Sequence, residues 1–338
     1  MQDKIKNALK EAKWEILILI TGITLIYSTY AWFSSALDVN ISDFKMTTNS
    51  EAGLTISLDG VDWGNSVEIS ESSITSELNK TYPGNTNQWS KELGPVSTLG
   101  IKTKNSPNFS MYADQNTILK KKQDKNRVFM SPIEILELNQ NHESEFLAFD
   151  IFLKNVSGSP KSDNLYLDEG TSFQLTAEKD NTVINAMRMG MVFMDSINKR
   201  SSAKAAQNIK CNNQCSQMIY EPYSTMHHQQ AIKSAKEHDI DLVDGQQYPT
   251  YAVKTGANKI NIWSGIYGSS DGMDNNIFAL QQTIKDFSKP IAKLPDGIMK
   301  IRVYIWIEGQ DIDIAELISD GYKLTCSINF RKDMAGYE

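Results

Sequence analysis

Histidines, cysteines and clustered carboxylates are where this sequence could hold a metal ion or a nucleophile, and each group falls short of a complete site. His227, His228 and His238 occupy one polar stretch. On a straight helix His228 and His238 would share a side but stand roughly three turns apart, too far to share one ion. The zinc-protease spacing His-Glu-x-x-His is absent. Asp271 and Asp274, in Asp-Gly-Met-Asp-Asn-Asn, and Asp311 and Asp313, in Gln-Asp-Ile-Asp, bring side-chain oxygens close together. Calcium is the ion such oxygen-rich loops would take, although neither run closes with the glutamate of an EF-hand. These four aspartates are the metal candidates; turn formation and helix capping are the competing use of the same residues. No other cofactor is expected.

Cys211 and Cys215, in Cys-Asn-Asn-Gln-Cys, are spaced for a small disulfide loop, and a lone pair is weak as a zinc site. Cys326 alternates with Leu324 and Ile328 and is expected to be a buried thiol. The chain has no Gly-x-Ser-x-Gly, phosphate-loop or dinucleotide fingerprint, so no catalytic residue is assigned. Trp63, Trp89 and Trp263 could line a carbohydrate groove, a use that competes with burial in a core. The net charge is −7 and the one basic run is Lys120-Lys121-Lys122 with Lys125 and Arg127, a pattern that speaks against nucleic acid as a partner.

The elements that would position these residues divide the chain in three. Residues 1–13 read as a cytoplasmic head carrying Lys4, Lys6, Lys10 and Lys13. Residues 14–37 contain the uncharged run Ile16 to Leu37, long enough to span a bilayer as a helix, which needs about 20 apolar residues. It serves as a signal peptide or a retained transmembrane anchor, and either one exports the remainder of the chain. Residues 38–338 form the body. With hydrophobic residues at 40% and charged residues at 22% of the chain, this body can fold around a core.

Short alternating runs dominate the body. Strands are expected near 54–58, 146–153, 173–177, 187–194, 301–307 and 322–330. The stretch 60–115 is rich in turn formers, with a turn at Pro83-Gly84, and is expected to be loop-heavy. The polar stretch 199–245 reads as a loop-and-helix insertion with its helix near Ser224 to His238. A second helix is expected at 277–287 and a short one from Ile312 to Ser319. The fold class is mainly β: an antiparallel sandwich with a helical insertion and an N-terminal hydrophobic helix. Ser35 to Met46, with Val39, Ile41 and Phe44, has no wholly apolar face. It is expected to pair as an edge strand, open to a neighbouring copy or to its own sheet.

Three stretches carry a resemblance to a known family. Ser28-Thr-Tyr-Ala-Trp-Phe-Ser34 resembles the end of signal peptides cut by the SipW-type peptidase of Gram-positive bacteria, whose substrates include the TasA and camelysin fibre proteins. Gly53-Leu-Thr-Ile-Ser-Leu-Asp-Gly60 resembles the first strand of related exported clostridial proteins. Phe146-Leu-Ala-Phe-Asp-Ile-Phe-Leu153 and Val303-Tyr-Ile-Trp-Ile-Glu-Gly-Gln310 resemble their later strands. The resemblance implies cleavage between Ala31 and Trp32, a jelly-roll-like sandwich on the cell surface, and fibres in which an N-terminal segment completes the next subunit's sheet. The expected function is therefore an exported, extracellular structural or biofilm-matrix protein whose partners are its own copies or other envelope proteins. Before any cleavage its N-terminal segment would contact the membrane. A membrane-anchored glycan-binding or adhesion module is the alternative, and a metal-dependent hydrolase a more distant one.

Overall fold

The computed structural model describes residues 39–41, 44–48, 53–90, 92–101, 105–114, 132–135, 145–158, 161–176, 183–212, 215–222, 283–284, 287–308 and 322–333. All belong to the larger of two units in the chain, Asp38–Leu317 with Gly321–Glu338. Ile16 to Leu37, the cleavage pair Ala31 and Trp32, and the helices expected at 224–238 and 312–319 lie outside them.

In chain order the strands are β1 Val39–Ile41, β2 Phe44–Thr48, β3 Leu54–Ser57, β4 Ser66–Ile69, β5 Glu92–Leu93, β6 Pro95–Ile101, β7 Phe109–Asp114, β8 Pro132–Ile135 and β9 Leu147–Asn155. There follow β10 Asp163–Leu167, β11 Ser172–Thr176, β12 Met187–Ile197, β13 Ser216–Tyr220, β14 Thr283–Ile284, β15 Ala292–Leu294, β16 Ile298–Glu308 and β17 Tyr322–Asp333. Among the described residues the helices are single turns: α1 Glu71–Ile74, α2 Leu78–Thr81, α3 Val183–Ala186 and α4 Ala203–Gln207. Ser70 opens α1 by accepting from the Ser73 backbone while the Ser73 hydroxyl returns a bond to Ser70, a capping box that ends β4.

Two sheets form, of eight and nine strands among the described residues. β17 is the axis of the first. One of its sides carries β1 and β2, both parallel to it, and the other carries β11 and β10, both antiparallel. β16 is the axis of the second. It pairs with β12 along one side and with β9, then β6, along the other. Its sequence explains this position. Met299, Ile301, Val303, Ile305 and Ile307 face one way and Ile298, Tyr304 and Trp306 the other, so both faces are buried, as in a central strand.

The inner faces meet in one apolar cluster. Phe44, Met46, Leu165, Leu167, Leu324, Ile328 and Phe330 come from the first sheet, and Phe149, Ile151, Met189, Met191, Ile301 and Val303 from the second. Phe44 and Phe149 touch across it, with ring centroids 5.7 Å apart. The outer face of the second sheet is covered too. Leu78, Tyr82, Ile209 and the β6–β7 ribbon lie over it, and Phe109 of β7 stacks on Tyr304 at 4.7 Å. Gly190 permits that approach, because a Cβ there would lie 2.2 Å from the Phe109 ring.

The body is mainly β, as its alternation implies, but several expectations need correction. The sheets are mixed: β1 and β2 with β17, β6 with β16, and β13 with β14 pair in parallel. Each of these pairs is joined by a long stretch of chain, and a parallel pair needs such a crossover. Within 277–287, Thr283–Ile284 is a strand beside β13, not helix. Within 60–115, β6 and β7 form an antiparallel pair, with one register shift between Thr98 and Ile101, despite their serines, threonines and glycine. Within 199–245, α4 is helical, but Ser216–Tyr220 is a full partner of β12, so this part belongs to the sheet and is not an insertion.

The segment expected at a sheet edge is internal. Val39 and Ile41 in β1 lie between β17 and β5, and Phe44 in β2 lies between β17 and β4. Phe44, Met46 and Thr48 are buried and Lys45 is exposed, so β2 has one buried face. Reading residues 39–46 as one uninterrupted strand hid this. Val39 and Ile41 fall on odd positions and Phe44 and Met46 on even ones, so a single alternation carried across 39–46 shows no wholly apolar face.

Candidate functional site

The residues proposed from sequence do not converge. Asp271, Asp274, Asp311, Asp313, His227, His228, His238 and Trp263 lie outside the described residues. Among the described residues no three His, Cys, Asp or Glu side chains are grouped to hold a metal ion, and no helix is long and apolar enough to cross a membrane. Cys211 and Cys215 form a disulfide, with Cα atoms 5.3 Å apart, buried under the outer face of the second sheet. Cys326 is a buried free thiol on the inner face, and burial pushes its ionisation well above the ordinary cysteine range. Trp89 packs beside Phe44 at 6.2 Å. Trp63 lies under the Lys154 ammonium, 3.9 Å from its ring centre. Trp89 packs against the inner cluster and Trp63 against the outer one, so both rings are engaged in the fold.

What the structure does assemble is buried ionic chemistry in places where strands should carry apolar side chains. The first cluster lies on the outer face of the second sheet. Asp150 of β9 and Lys300 and Arg302 of β16 are cross-strand neighbours, since Arg302 pairs with Asp150 in register. Arg302 Nη1 donates to Asp150 Oδ1 at 2.8 Å, and Lys300 Nζ lies 3.0 Å from Oδ2. The Tyr82 hydroxyl, at the end of α2, donates to Oδ2 at 2.9 Å and accepts from Lys300 Nζ at 2.7 Å. Arg302 also donates to the Thr86 carbonyl and the Tyr304 hydroxyl, and Lys300 to the Gln207 carbonyl. Burial by itself opposes a charged Asp150, but Arg302 and Lys300 outweigh it and hold the carboxyl below its ordinary value. The Tyr82 phenol moves the other way, raised above its ordinary range by burial and by the Asp150 charge. On the same face Arg188 meets Glu221 at 3.3 Å. Glu308 accepts there from Ser97 and from the Trp306 indole.

The second cluster lies between the sheets. Lys332 of β17, Asp163 of β10 and Asn155 of β9 are all buried, and the Lys332 and Asp163 side chains expose nothing. Lys332 Nζ donates to Asn155 Oδ1 at 2.5 Å and to Asp163 Oδ2 at 3.1 Å. Asn155 Nδ2 donates to the same Asp163 oxygen at 2.9 Å, and to the Leu294 and Pro295 carbonyls at 3.2 and 3.3 Å. One amine, one carboxylate and one carboxamide thus close a triangle away from water. Each occupies the next inner-face position of an apolar series: Asn155 after Phe149, Ile151 and Leu153; Lys332 after Leu324, Ile328 and Phe330; Asp163 before Leu165 and Leu167.

Neither cluster was found from sequence. The expected strands stopped at Leu153 and Phe330, one inner position short of Asn155 and Lys332. The available signal was a polar residue in phase with an apolar alternation, which reads as a strand end unless the strand is known to continue. Comparison with known proteins adds no guide: no protein-family model, no curated protein and no solved structure matches this chain.

Proposed function

We propose that the chain is an exported structural protein of the bacterial cell surface, assembling through the strand segment just C-terminal to its hydrophobic run. The observation that carries the reading is the placement of β1 and β2. They fill a slot in the first sheet between β17 and the pair β4 and β5, running parallel to β17 with Lys45 to Thr48 opposite Ser327 to Phe330. A strand held by backbone ladders on two sides and by Phe44 and Met46 in the core is recognised by register and by two apolar side chains. The same segment from another copy satisfies both, so intramolecular pairing and exchange between copies compete for one slot. Export is supported by the uncharged run Ile16 to Leu37 and by the Cys211–Cys215 disulfide, which fits an oxidising compartment. The jelly-roll-like sandwich of the resembled fibre proteins is part of this proposal. The glycan-binding alternative has less support, since Trp63 and Trp89 are engaged in packing.

Deleting residues 32–48 from the exported form tests the reading by negative-stain electron microscopy. Full-length material should give filaments and the truncated protein none, and a peptide covering 38–48 should bind the truncated body with one-to-one stoichiometry. Filaments of unchanged repeat from the truncated protein would remove strand exchange from the account.

A further inference from the structure

The triangle of Lys332, Asp163 and Asn155 has the parts of a reaction as well as of a salt bridge. We propose that it forms an intramolecular amide cross-link, in which the Lys332 amine displaces ammonia from the Asn155 carboxamide with Asp163 moving the protons. This inference stands on three side chains and does not depend on surface assembly.

Position comes first. Lys332 Nζ lies 2.5 Å from Asn155 Oδ1. The carboxamide carbon is one C=O bond of about 1.2 Å from that oxygen, which puts amine and carbon at near-attack separation. Both groups are fixed by the sheets that carry them, so the encounter is already made when the protein folds. Asn155 extends β9 of one sheet and Lys332 sits near the end of β17 in the other.

The proton inventory closes without any added reagent. Asp163 Oδ2 contacts Lys332 Nζ at 3.1 Å and Asn155 Nδ2 at 2.9 Å, so one carboxylate oxygen reaches both the nucleophile and the leaving group. A proton passes from the Lys332 ammonium to Asp163, leaving a free amine and a neutral acid. In a site shielded from water this uncharged pair needs no solvation of charge. The amine lone pair adds to Cγ of Asn155, and the tetrahedral intermediate collapses with loss of Nδ2. Of the three ammonium protons, one remains in the new amide, one goes to the departing nitrogen, and one passes through Asp163 and leaves with ammonia as ammonium. The Nζ–Cγ bond forms, the Cγ–Nδ2 bond breaks, Asp163 returns as a carboxylate, and nothing is oxidised or reduced. The Leu294 and Pro295 carbonyls orient Nδ2 for departure. The product closes a loop between residues separated by 177 positions and ties the two sheets together covalently.

Intact-mass spectrometry of the folded full-length chain is the test, with the disulfide accounted for. The expected mass is below that of the sequence by about 17 Da, one ammonia per chain. Lys332→Arg, Asn155→Ala and Asp163→Ala should each show no deficit. Lys300→Arg, which alters only the other cluster, should keep it. The wild-type mass decides even where a variant fails to fold. A folded wild-type protein at full sequence mass, unchanged after prolonged incubation, overturns the proposal. So does a deficit that survives Lys332→Arg.

Discussion

Both buried clusters hold an aspartate and a lysine with an asparagine nearby, the first adding Arg302 and Tyr82, and they differ in what faces the lysine. Around Asp150 an asparagine is also present: Asn87 Oδ1 accepts from the Asp150 backbone N–H at 2.9 Å. The neighbouring lysine, Lys300, is directed at Asp150, the Tyr82 hydroxyl and the Gln207 carbonyl, none of which is a carboxamide carbon with a leaving group. Around Asp163 the asparagine side chain itself receives the lysine, and the aspartate bridges the two. The direction of one carboxamide separates an electrostatic brace from a site poised to make a bond.

The sharpest way to break this comparison is to replace the charged pair of the inter-sheet cluster by apolar residues. Exchanging a buried ion pair for hydrophobic residues of like volume is usually neutral or stabilising. If Lys332 is cross-linked, the variant Lys332→Met with Asp163→Leu also loses a covalent loop closure. Treated with the chain-entropy model for disulfides, that closure contributes about 5 kcal/mol. Denaturant unfolding should therefore show the double variant to be markedly less stable than wild type. An equal or higher midpoint would return Lys332 and Asp163 to the role of an ordinary salt bridge.

The brace should fail by a different route. Arg302→Ala leaves Asp150 buried without its guanidinium, and one-sided loss of a buried pair costs about 4 kcal/mol. The sheet-to-sheet cross-link should survive in whatever fraction folds, so unfolding midpoint and mass deficit separate in this variant. Acid should weaken the same brace reversibly. The folded-state pKa of Asp150 lies below its ordinary value of 3.8, so the folded protein favours the ionised form. Its contribution is complete above about pH 4 and is lost as the pH falls through the depressed folded value. Asp150→Asn should flatten the acid limb of a stability-versus-pH curve; an unchanged limb would place the acid sensitivity elsewhere. The smallest of these effects belongs to the disulfide. Cys211 and Cys215 close a loop of sequence separation 4, for which the chain-entropy term is about 2 kcal/mol. Reductant should lower the thermal midpoint by a few degrees without changing the sheet content seen by circular dichroism.

Much of the architecture was legible in the sequence because its strands alternate. Leu324, Cys326, Ile328 and Phe330, and Met187, Met189, Met191 and Phe193, announce an inward face with little ambiguity, and the structure puts them there. The mixed pairing was not legible. Alternation says which face is buried but not which neighbour lies beside the strand, so β1 and β2 looked like edges when each has partners on two sides. The clusters were harder still. Asn155, Asp163 and Lys332 look like ordinary strand-end polar residues, and only the third dimension shows that these ends converge. Arg188, Lys300, Arg302 and Asp150 share the outer face with apolar neighbours such as Ala148, Phe152, Tyr304 and Trp306, and nothing in their spacing says which charges pair beneath the layer of α2, Tyr82 and the β6–β7 ribbon.

Peptide mapping of the folded wild-type protein by tandem mass spectrometry tests the difference between the clusters most directly. The expected result is one branched species joining the peptide that contains Asn155 to the peptide that contains Lys332, with the Lys300 peptide linear and unmodified. Linear Asn155 and Lys332 peptides, each at its sequence mass, would contradict the assignment and leave both clusters as electrostatic braces.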